Sequence, residues 1–256
     1  MHRHKKRFGQ HFLHDPGVIG DIVSAVTPTQ DDVVVEIGPG EGAITTPIAR
    51  LAGHLHVVEF DRDLAKRLRQ RYADSDRVTV HEADALKFDF ASLGHNLRIV
   101  GNLPYNISTP LLFHLLECRT HIQDMHFMLQ KEVVDRMAAE PGGRDFGRLT
   151  VMLGCALQVV HLFDVPPTAF EPPPKVMSAV VRLAPLPEGT FNLSDHKTLA
   201  ALVAQAFSQR RKTIRNSLRQ RASEAELQAA GIDPGARPEQ IPVSAWIDLA
   251  NALAGT

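Results

Sequence analysis

Cysteine is nearly missing from this chain: Cys118 and Cys155 are the only two in 256 residues, and both stand in apolar stretches. So sparse a pair does not make a disulfide framework, which points away from a small secreted fold and toward a reducing cytoplasm. Both cysteines read as core residues, because no motif for covalent attack surrounds either one. Long hydrophobic runs are also lacking. No apolar stretch reaches the roughly 18 residues that a membrane span needs, so a soluble protein with no membrane partner is expected. The N-terminus, Met1-His-Arg-His-Lys-Lys-Arg7, is basic but lacks the apolar segment of a secretory signal, so export is not expected. Internal repeats and low-complexity tracts are absent as well.

An excess of charge of one sign is lacking too, since the formal net charge is -1. Taken as a total, that opposes a nucleic-acid partner, because Lys and Arg contacts to phosphate supply much of such affinity. The distribution says more than the total. Arg3, Lys5, Lys6 and Arg7 form one basic cluster, and Arg210, Arg211, Lys212, Arg215, Arg219 and Arg221 form another, while acids gather in the first half. A solvated face is the ordinary reading of either cluster alone.

What is present is a globular composition, with 44% hydrophobic and 22% charged residues, in a chain long enough for one large core and a small second domain. Short β-branched runs alternate with amphipathic stretches over the first two-thirds, which predicts a doubly wound, mostly parallel α/β sheet. Strands are expected at Val33 to Ile37, His56 to Glu59, Val78 to His81, Leu97 to Gly101, Met125 to Leu129, Gln158 to Val165 and Ala179 to Leu183. Asp15 followed by Pro16 reads as the cap and first residue of a helix, and Asp63 as the cap of a helix running to Arg71. Near Ala184-Pro-Leu-Pro-Glu-Gly189 the composition turns to Pro and Gly, which places a boundary between domains at 1–185 and 186–256. The tail reads as short helices, Leu199 to Phe207, Thr213 to Arg221, Glu224 to Ala230 with a Ser223/Glu226 capping box, and Ala245 to Leu253.

The chemistry begins at Glu36-Ile-Gly38-Pro-Gly40-Glu-Gly42-Ala43, a glycine loop at a strand end where backbone must pass close to a ligand. Gly38, Gly40 and Ala43 satisfy the dinucleotide fingerprint, with Glu59 about 20 residues on, so a dehydrogenase has to be weighed. The charge opposes it. Glu36 and Glu41 would repel a pyrophosphate, whereas S-adenosylmethionine carries a sulfonium and an ammonium and no phosphate. Glu59 then suits the ribose hydroxyls, and Asp84, ending the third strand, the amine of the cofactor's adenine. Strand-end solvation remains the plain reading of either acid alone.

Gly101-Asn102-Leu103-Pro104-Tyr105 follows the fourth strand. An adenine amine is a poor nucleophile because its lone pair is delocalised into the ring. The side-chain oxygen of Asn102 and the backbone carbonyl of Leu103 can each accept one N–H and aim that lone pair at a methyl donor. Pro104 biases Leu103 toward an extended conformation, and Tyr105 offers a face for an extruded base. Phe170, ahead of a polyproline segment, offers a ring to close the other side of the base, although a loop Phe is more often simple packing. A plain Pro turn is the competing reading of the tetrapeptide.

Five segments together are specific. Gly9-Gln-His-Phe-Leu13, Glu36-Ile-Gly-Pro-Gly40, Asn102-Leu-Pro-Tyr-Asn-Ile-Ser-Thr109, His126-Phe-Met-Leu-Gln-Lys-Glu132 and Phe170-Glu-Pro-Pro-Pro-Lys-Val176 resemble successive motifs of the KsgA family of ribosomal RNA adenine dimethyltransferases, as does Phe207-Ser-Gln-Arg-Arg-Lys-Thr-Ile-Arg-Asn216 in the tail. The resemblance implies a seven-stranded, Rossmann-like methyltransferase sheet with a small helical RNA-binding domain. It implies double methylation of two adjacent adenosines near the 3' end of 16S ribosomal RNA during small-subunit assembly, with S-adenosylhomocysteine as product. It further implies that His11, Leu13, Gly38, Gly40, Glu59, Asp84 and Asn102 contact the cofactor, and that Asn102, Leu103, Tyr105 and Phe170 form the target-adenine site. Position 11 is His where many relatives carry Asn, so a backbone contact is expected there. Arg3, Lys5, Lys6, Arg7, Arg210, Arg211, Lys212 and Arg215 are expected to meet RNA, and a cytoplasmic monomer is expected.

Three alternatives stand beside this reading. A DNA adenine methyltransferase would more often carry Asp at position 102 together with a dedicated base-reading domain. A dehydrogenase would bind NAD, and a non-catalytic assembly or transcription factor would bind neither cofactor. His2, His4, His11 and His14 lack a cysteine partner and read as exposed, so no metal is expected.

Overall fold

The computed structural model describes residues 11–104 and 107–254. They form two compact units, one of the described residues up to Val134 with Val160–Pro185, the other of Asp135–Val159 with the described residues from Leu186 on. The chain thus enters the second unit twice.

The elements up to the first crossing are β1 (Phe12–Leu13), α1 (Pro16–Val26), β2 (Val33–Ile37), α2 (Thr45–Leu51), β3 (His54–Glu59), α3 (Arg62–Arg71), β4 (Val78–Glu82), β5 (Leu97–Asn102), α4 (Ser108–Glu117), β6 (Ile122–Gln130) and α5 (Lys131–Met137). There follow α6 (Arg148–Gly154), β7 (Leu157–Val165), β8 (Phe170–Glu171), β9 (Ser178–Pro185), α7 (His196–Ser208), α8 (Ile214–Leu218), α9 (Glu224–Ala229) and α10 (Val243–Ala254).

Seven strands form one sheet in the order β4-β3-β2-β5-β6-β9-β7. The pairs β2–β3, β3–β4, β2–β5 and β5–β6 are parallel, and β9 runs antiparallel to β6. The chain leaves β2 toward β3 and later returns on its other side as β5, so the winding reverses between β2 and β5. A crevice opens at the carboxyl ends of the strands at such a reversal. All seven expected strands are present, most of them extended by one to three residues at an end. Val34, Val35, Glu36 and Ile37 of β2 are buried, as the β-branched run requires of a strand covered on both faces. Gly101 lets β5 approach β2, since a Cβ there would lie 2.6 Å from the Ile37 carbonyl oxygen.

Asp15 caps α1 by accepting from the Gly17 and Val18 amides, with Pro16 in the first turn. The cap of α3 is Asp61 and not Asp63: Asp61 Oδ1 accepts from Asp63 N and Leu64 N, the two amides a cap must reach. Asp63 sits in the first turn, where its charge suits the helix dipole. Within the second unit the Ser223/Glu226 box opens α9, and Trp246 is fully buried with its ring 6.0 Å from that of Phe207. No strand begins after Pro185 among the described residues.

At the amino ends of the strands a buried ion network ties the sheet together. Arg98 donates from Nε and Nη2 to Asp124 Oδ1 and Oδ2 at 3.0 and 2.9 Å, and from Nη1 to the Thr27 carbonyl and Asp32 Oδ2, both at 3.2 Å. Its geometry is bidentate and its charge is nearly shielded from water, so removing one partner strands the other. Asp124→Ala is expected to lower unfolding free energy by about 3 to 5 kcal/mol with an unchanged denaturant slope. A loss below about 1 kcal/mol in chemical denaturation would contradict this account of the network.

Candidate active site

The loop after β2 uses glycine where side chains cannot follow. Gly38, Gly40 and Gly42 have φ of +66°, +58° and +88°. The Gly38 amide donates to the Val58 carbonyl at 3.0 Å, which ties the loop to β3. At the end of β3, Glu59 receives two backbone donors: Asp61 N to Oε1 at 2.7 Å and Gly40 N to Oε2 at 3.3 Å. A Cβ on Gly40 would sit 3.1 Å from the Phe12 ring, so β1 lies directly against the loop.

These strand ends enclose a cavity of about 340 Å³, a size that suits a small organic ligand. Ile37 to Ile44, Val58 to Asp61, Ala83 to Leu86 and Asn102 to Pro104 supply most of its wall, and His11, Phe12 and Leu13 close one side. Among the described residues, five carboxylates line it, from Glu36, Glu41, Glu59, Asp61 and Asp84, and no Lys or Arg does. A pyrophosphate has nothing there to neutralise it. A cationic ligand does, so the lining opposes a dinucleotide and fits a sulfonium compound.

Burial perturbs two of these acids. It raises the Glu59 carboxyl, with the Asp61 charge adding to the rise and the two backbone donors opposing it. It pushes Glu36, 2% exposed, up to about 7, and the nearby Glu59 adds to that shift. Glu36 Oε2 is buried with no hydrogen-bond partner. Asp84 Oδ1 accepts from Leu86 N at 3.0 Å, which fixes that carboxylate at the end of β4.

At the end of β5, Asn102 Nδ2 donates to the His11 carbonyl at 3.1 Å. Only the amide nitrogen can donate to a carbonyl, so this bond settles the orientation of the group and leaves Oδ1 as its acceptor. Leu103 and Pro104 line the cavity beside Asn102, and the Leu103 amide donates to Met128 O at 3.2 Å. His11, Leu13, Gly38, Gly40, Glu59, Asp84, Asn102, Leu103 and Pro104 are thus brought to one cavity.

Other expected residues are not. Phe170 is 2% exposed, pairs with Leu13 across β1 and β8, and belongs to the hydrophobic core; it is not among the cavity residues. Tyr105 and the cluster Arg3, Lys5, Lys6 and Arg7 lie outside the described residues. In the second unit Arg210 is engaged internally, donating to the Gly143 and Arg144 carbonyls and lying 3.5 Å from Glu239. Arg215 pairs with Glu224 at 3.5 Å, while Arg211 and Lys212 are exposed.

Asp61 escaped the reading of the sequence, and so did two aromatic cavity residues. Phe12 packs on Gly40, and Phe60 is 61% exposed at the cavity although it is a large apolar ring. The signal for Phe60 was its place directly after the strand-end acid Glu59. No group of His, Cys, Asp or Glu able to hold a metal ion occurs among the described residues.

The family of ribosomal RNA adenine dimethylases matches residues 1–255. The chain belongs to that family. This ribosomal RNA adenine dimethylase is 56% identical over 253 residues to the ribosomal RNA small subunit methyltransferase A of Aromatoleum aromaticum, covering 99% of this chain and 95% of the relative. Among solved structures, a dimethyladenosine transferase from Plasmodium falciparum is similar with a TM-score of 0.78 and 26% identity, over 93% of this chain and 96% of that one. The 23S rRNA methyltransferase ErmE is similar with a TM-score of 0.76 and 28% identity, over 95% and 99% of the two chains. Of the readings weighed from sequence, the dehydrogenase is set aside by the cavity's charge and the family together.

The Glu36 shift has a sign that can be checked. Its carboxyl titrates at about 7 in the folded protein and at 4.5 ordinarily, so the native state holds a proton that the unfolded state gives up. Stability is therefore lost as pH rises through that window, by about 3 kcal/mol in full. Glu36→Gln removes the effect. Relative to wild type, the ligand-free variant is expected to gain stability between about pH 5 and about pH 8, read as the change in the difference of unfolding free energies. The same difference at both pH values would contradict the burial of Glu36 with one oxygen unpartnered.

Proposed function

We propose that the crevice between β2 and β5 is a methyl-transfer site: the acid-lined cavity holds S-adenosylmethionine, and the turn after β5 presents the N6 amine of an adenine to it. The observation that carries this is Asn102, whose amide oxygen is the atom left to accept in the same cavity as Glu59 and Asp84. Glu59 is assigned to the ribose hydroxyls, Asp84 to the adenine amine and Phe60 to the face of the adenine ring. The loop amides and the flanking acids suit the amino-acid end. When bound, S-adenosylmethionine supplies an electrophilic methyl on a positively charged sulfur.

The chain's own residues do the rest. Asn102 Oδ1 and the Leu103 carbonyl each accept one N–H of the amine, which draws the nitrogen out of conjugation with the ring and directs its lone pair. Pro104 sets the direction of the Leu103 carbonyl by disfavouring the helical conformation at residue 103. No strong base is required, because an alkylated, tetrahedral nitrogen is acidic enough to lose its proton to water. On sequence grounds the stacking face for the extruded base is Tyr105.

The chain is a ribosomal RNA adenine dimethylase, so the amine belongs to an adenine of ribosomal RNA. We extend this to two adjacent adenosines near the 3' end of 16S RNA, methylated in the assembling small subunit by a cytoplasmic monomer; the small-subunit name of the 56% identical relative supports the subunit, and the motif resemblance supports the rest. No helix among the described residues is long and apolar enough to cross a membrane. Exposed Arg211 and Lys212 fit phosphate contacts, a role that Arg210 has exchanged for internal bonds.

With labelled cofactor and unmethylated small subunits, Asn102→Ala is expected to slow methyl transfer about 100- to 1,000-fold while RNA binding stays within about threefold. Turnover at the wild-type rate would refute the role of Asn102. Replacing Arg211 and Lys212 by alanine is expected to flatten the slope of log affinity against log salt by about 1 to 2. An unchanged slope would return both to a solvated face.

A further inference from the structure

Backbone pairing holds the arm that walls the cavity over a short stretch, and beyond it the His14 and Asp15 amides donate to the Ala169 carbonyl. β1 and β8 pair over two residues each, Phe12 with Glu171 and Leu13 with Phe170. The next position in that antiparallel register sets His11 opposite Pro172. Proline has no amide proton, so the ladder cannot continue through it. The His11 side chain reaches across the same step: its Nδ1–H donates to the Pro172 carbonyl at 2.7 Å.

The same residue meets the catalytic asparagine from its other side. The His11 carbonyl accepts from Asn102 Nδ2 at 3.1 Å, and this bond turns the amide oxygen toward an incoming amine. A reversed amide would present donors to a group that itself brings N–H donors, and the pair would repel. One residue therefore joins the loop after β8 to the reacting group at the end of β5.

We propose that His11 is a positioning residue for methyl transfer: its imidazole latches the arm to Pro172, and through its carbonyl the latched arm holds the Asn102 amide in the accepting orientation. This rests on the methyl-transfer reading of the cavity. The chemistry of the latch calls for a donor at the place of Nδ1. The side-chain amide nitrogen of asparagine falls near that place, and that of glutamine falls near Nε2 instead.

The test compares wild type with His11→Ala, His11→Asn and His11→Gln in single-turnover methyl transfer to unmethylated small subunits at saturating S-adenosylmethionine, with cofactor affinity and melting temperature measured in parallel. The expected result is a rate lower by about tenfold or more in His11→Ala and His11→Gln, with recovery to within about threefold of wild type in His11→Asn. The Asn and Gln variants are both polar and both foldable at this half-buried position, so their contrast holds even if the alanine variant is unstable. Three outcomes overturn the latch: a wild-type rate in His11→Ala, equal rates in the Asn and Gln variants, or weaker cofactor binding with no change in rate at saturation. A wild-type protein that transfers no methyl group would instead overturn the underlying activity.

Discussion

The hydrogen bond from the Asn102 amide nitrogen to the His11 carbonyl decides which atom of that side chain is left to accept. An asparagine at a strand end can offer a donor or an acceptor, and an amine to be alkylated needs an acceptor. The fold supplies the choice in two steps. β5 carries Asn102 to the crevice where the winding reverses, and β1 brings a backbone carbonyl to the far side of its amide. The glycine loop makes room for this, since any side chain at Gly40 would strike Phe12 of the same arm.

Electrostatics agrees with that geometry. A cavity that the described residues wall with carboxylates and without Lys or Arg favours a positively charged ligand and disfavours a phosphate. The protein bears a cost for this arrangement before any ligand arrives, because Glu36 is buried beside Glu59 with one oxygen unpartnered. At the opposite end of the sheet the buried charges are fully paired, Arg98 with Asp124 and Asp32. An unpartnered carboxylate oxygen thus sits at the cavity end of the sheet, and paired charges at the other.

Much of this was legible in the residues. Runs such as Val33 to Ile37 read as strands because β-branched residues in short apolar blocks suit a sheet covered on both faces, and Asp15-Pro16 marked a helix start without ambiguity. Where two aspartates compete, as at 61 and 63, composition cannot say which one reaches the second and third amides. The β1–β8 pair was illegible because two residues carry no periodicity, and with it went the packing of Phe12 on Gly40. The membership of Asp135–Val159 in the helical unit leaves no shift in composition, unlike the Pro-rich stretch near 185. Within the site, the strand-end residues were readable because the fold aims strand ends at ligands. Phe170 stands apart from them, with its ring in the core beside Leu13, the packing role that a loop Phe more often takes. Arg210 likewise looked the same as Arg211 and Lys212 until its carbonyl partners were seen.

The orientation of the Asn102 amide can be observed without catalysis. In protein labelled with nitrogen-15 at asparagine and carbon-13 at the histidine carbonyl, nuclear magnetic resonance reads scalar coupling across the hydrogen bond. The account predicts a coupling between Asn102 Nδ2 and the His11 carbonyl carbon, with that amide proton protected from exchange. An Asn102 side chain uncoupled from His11 and exchanging freely with water would contradict it.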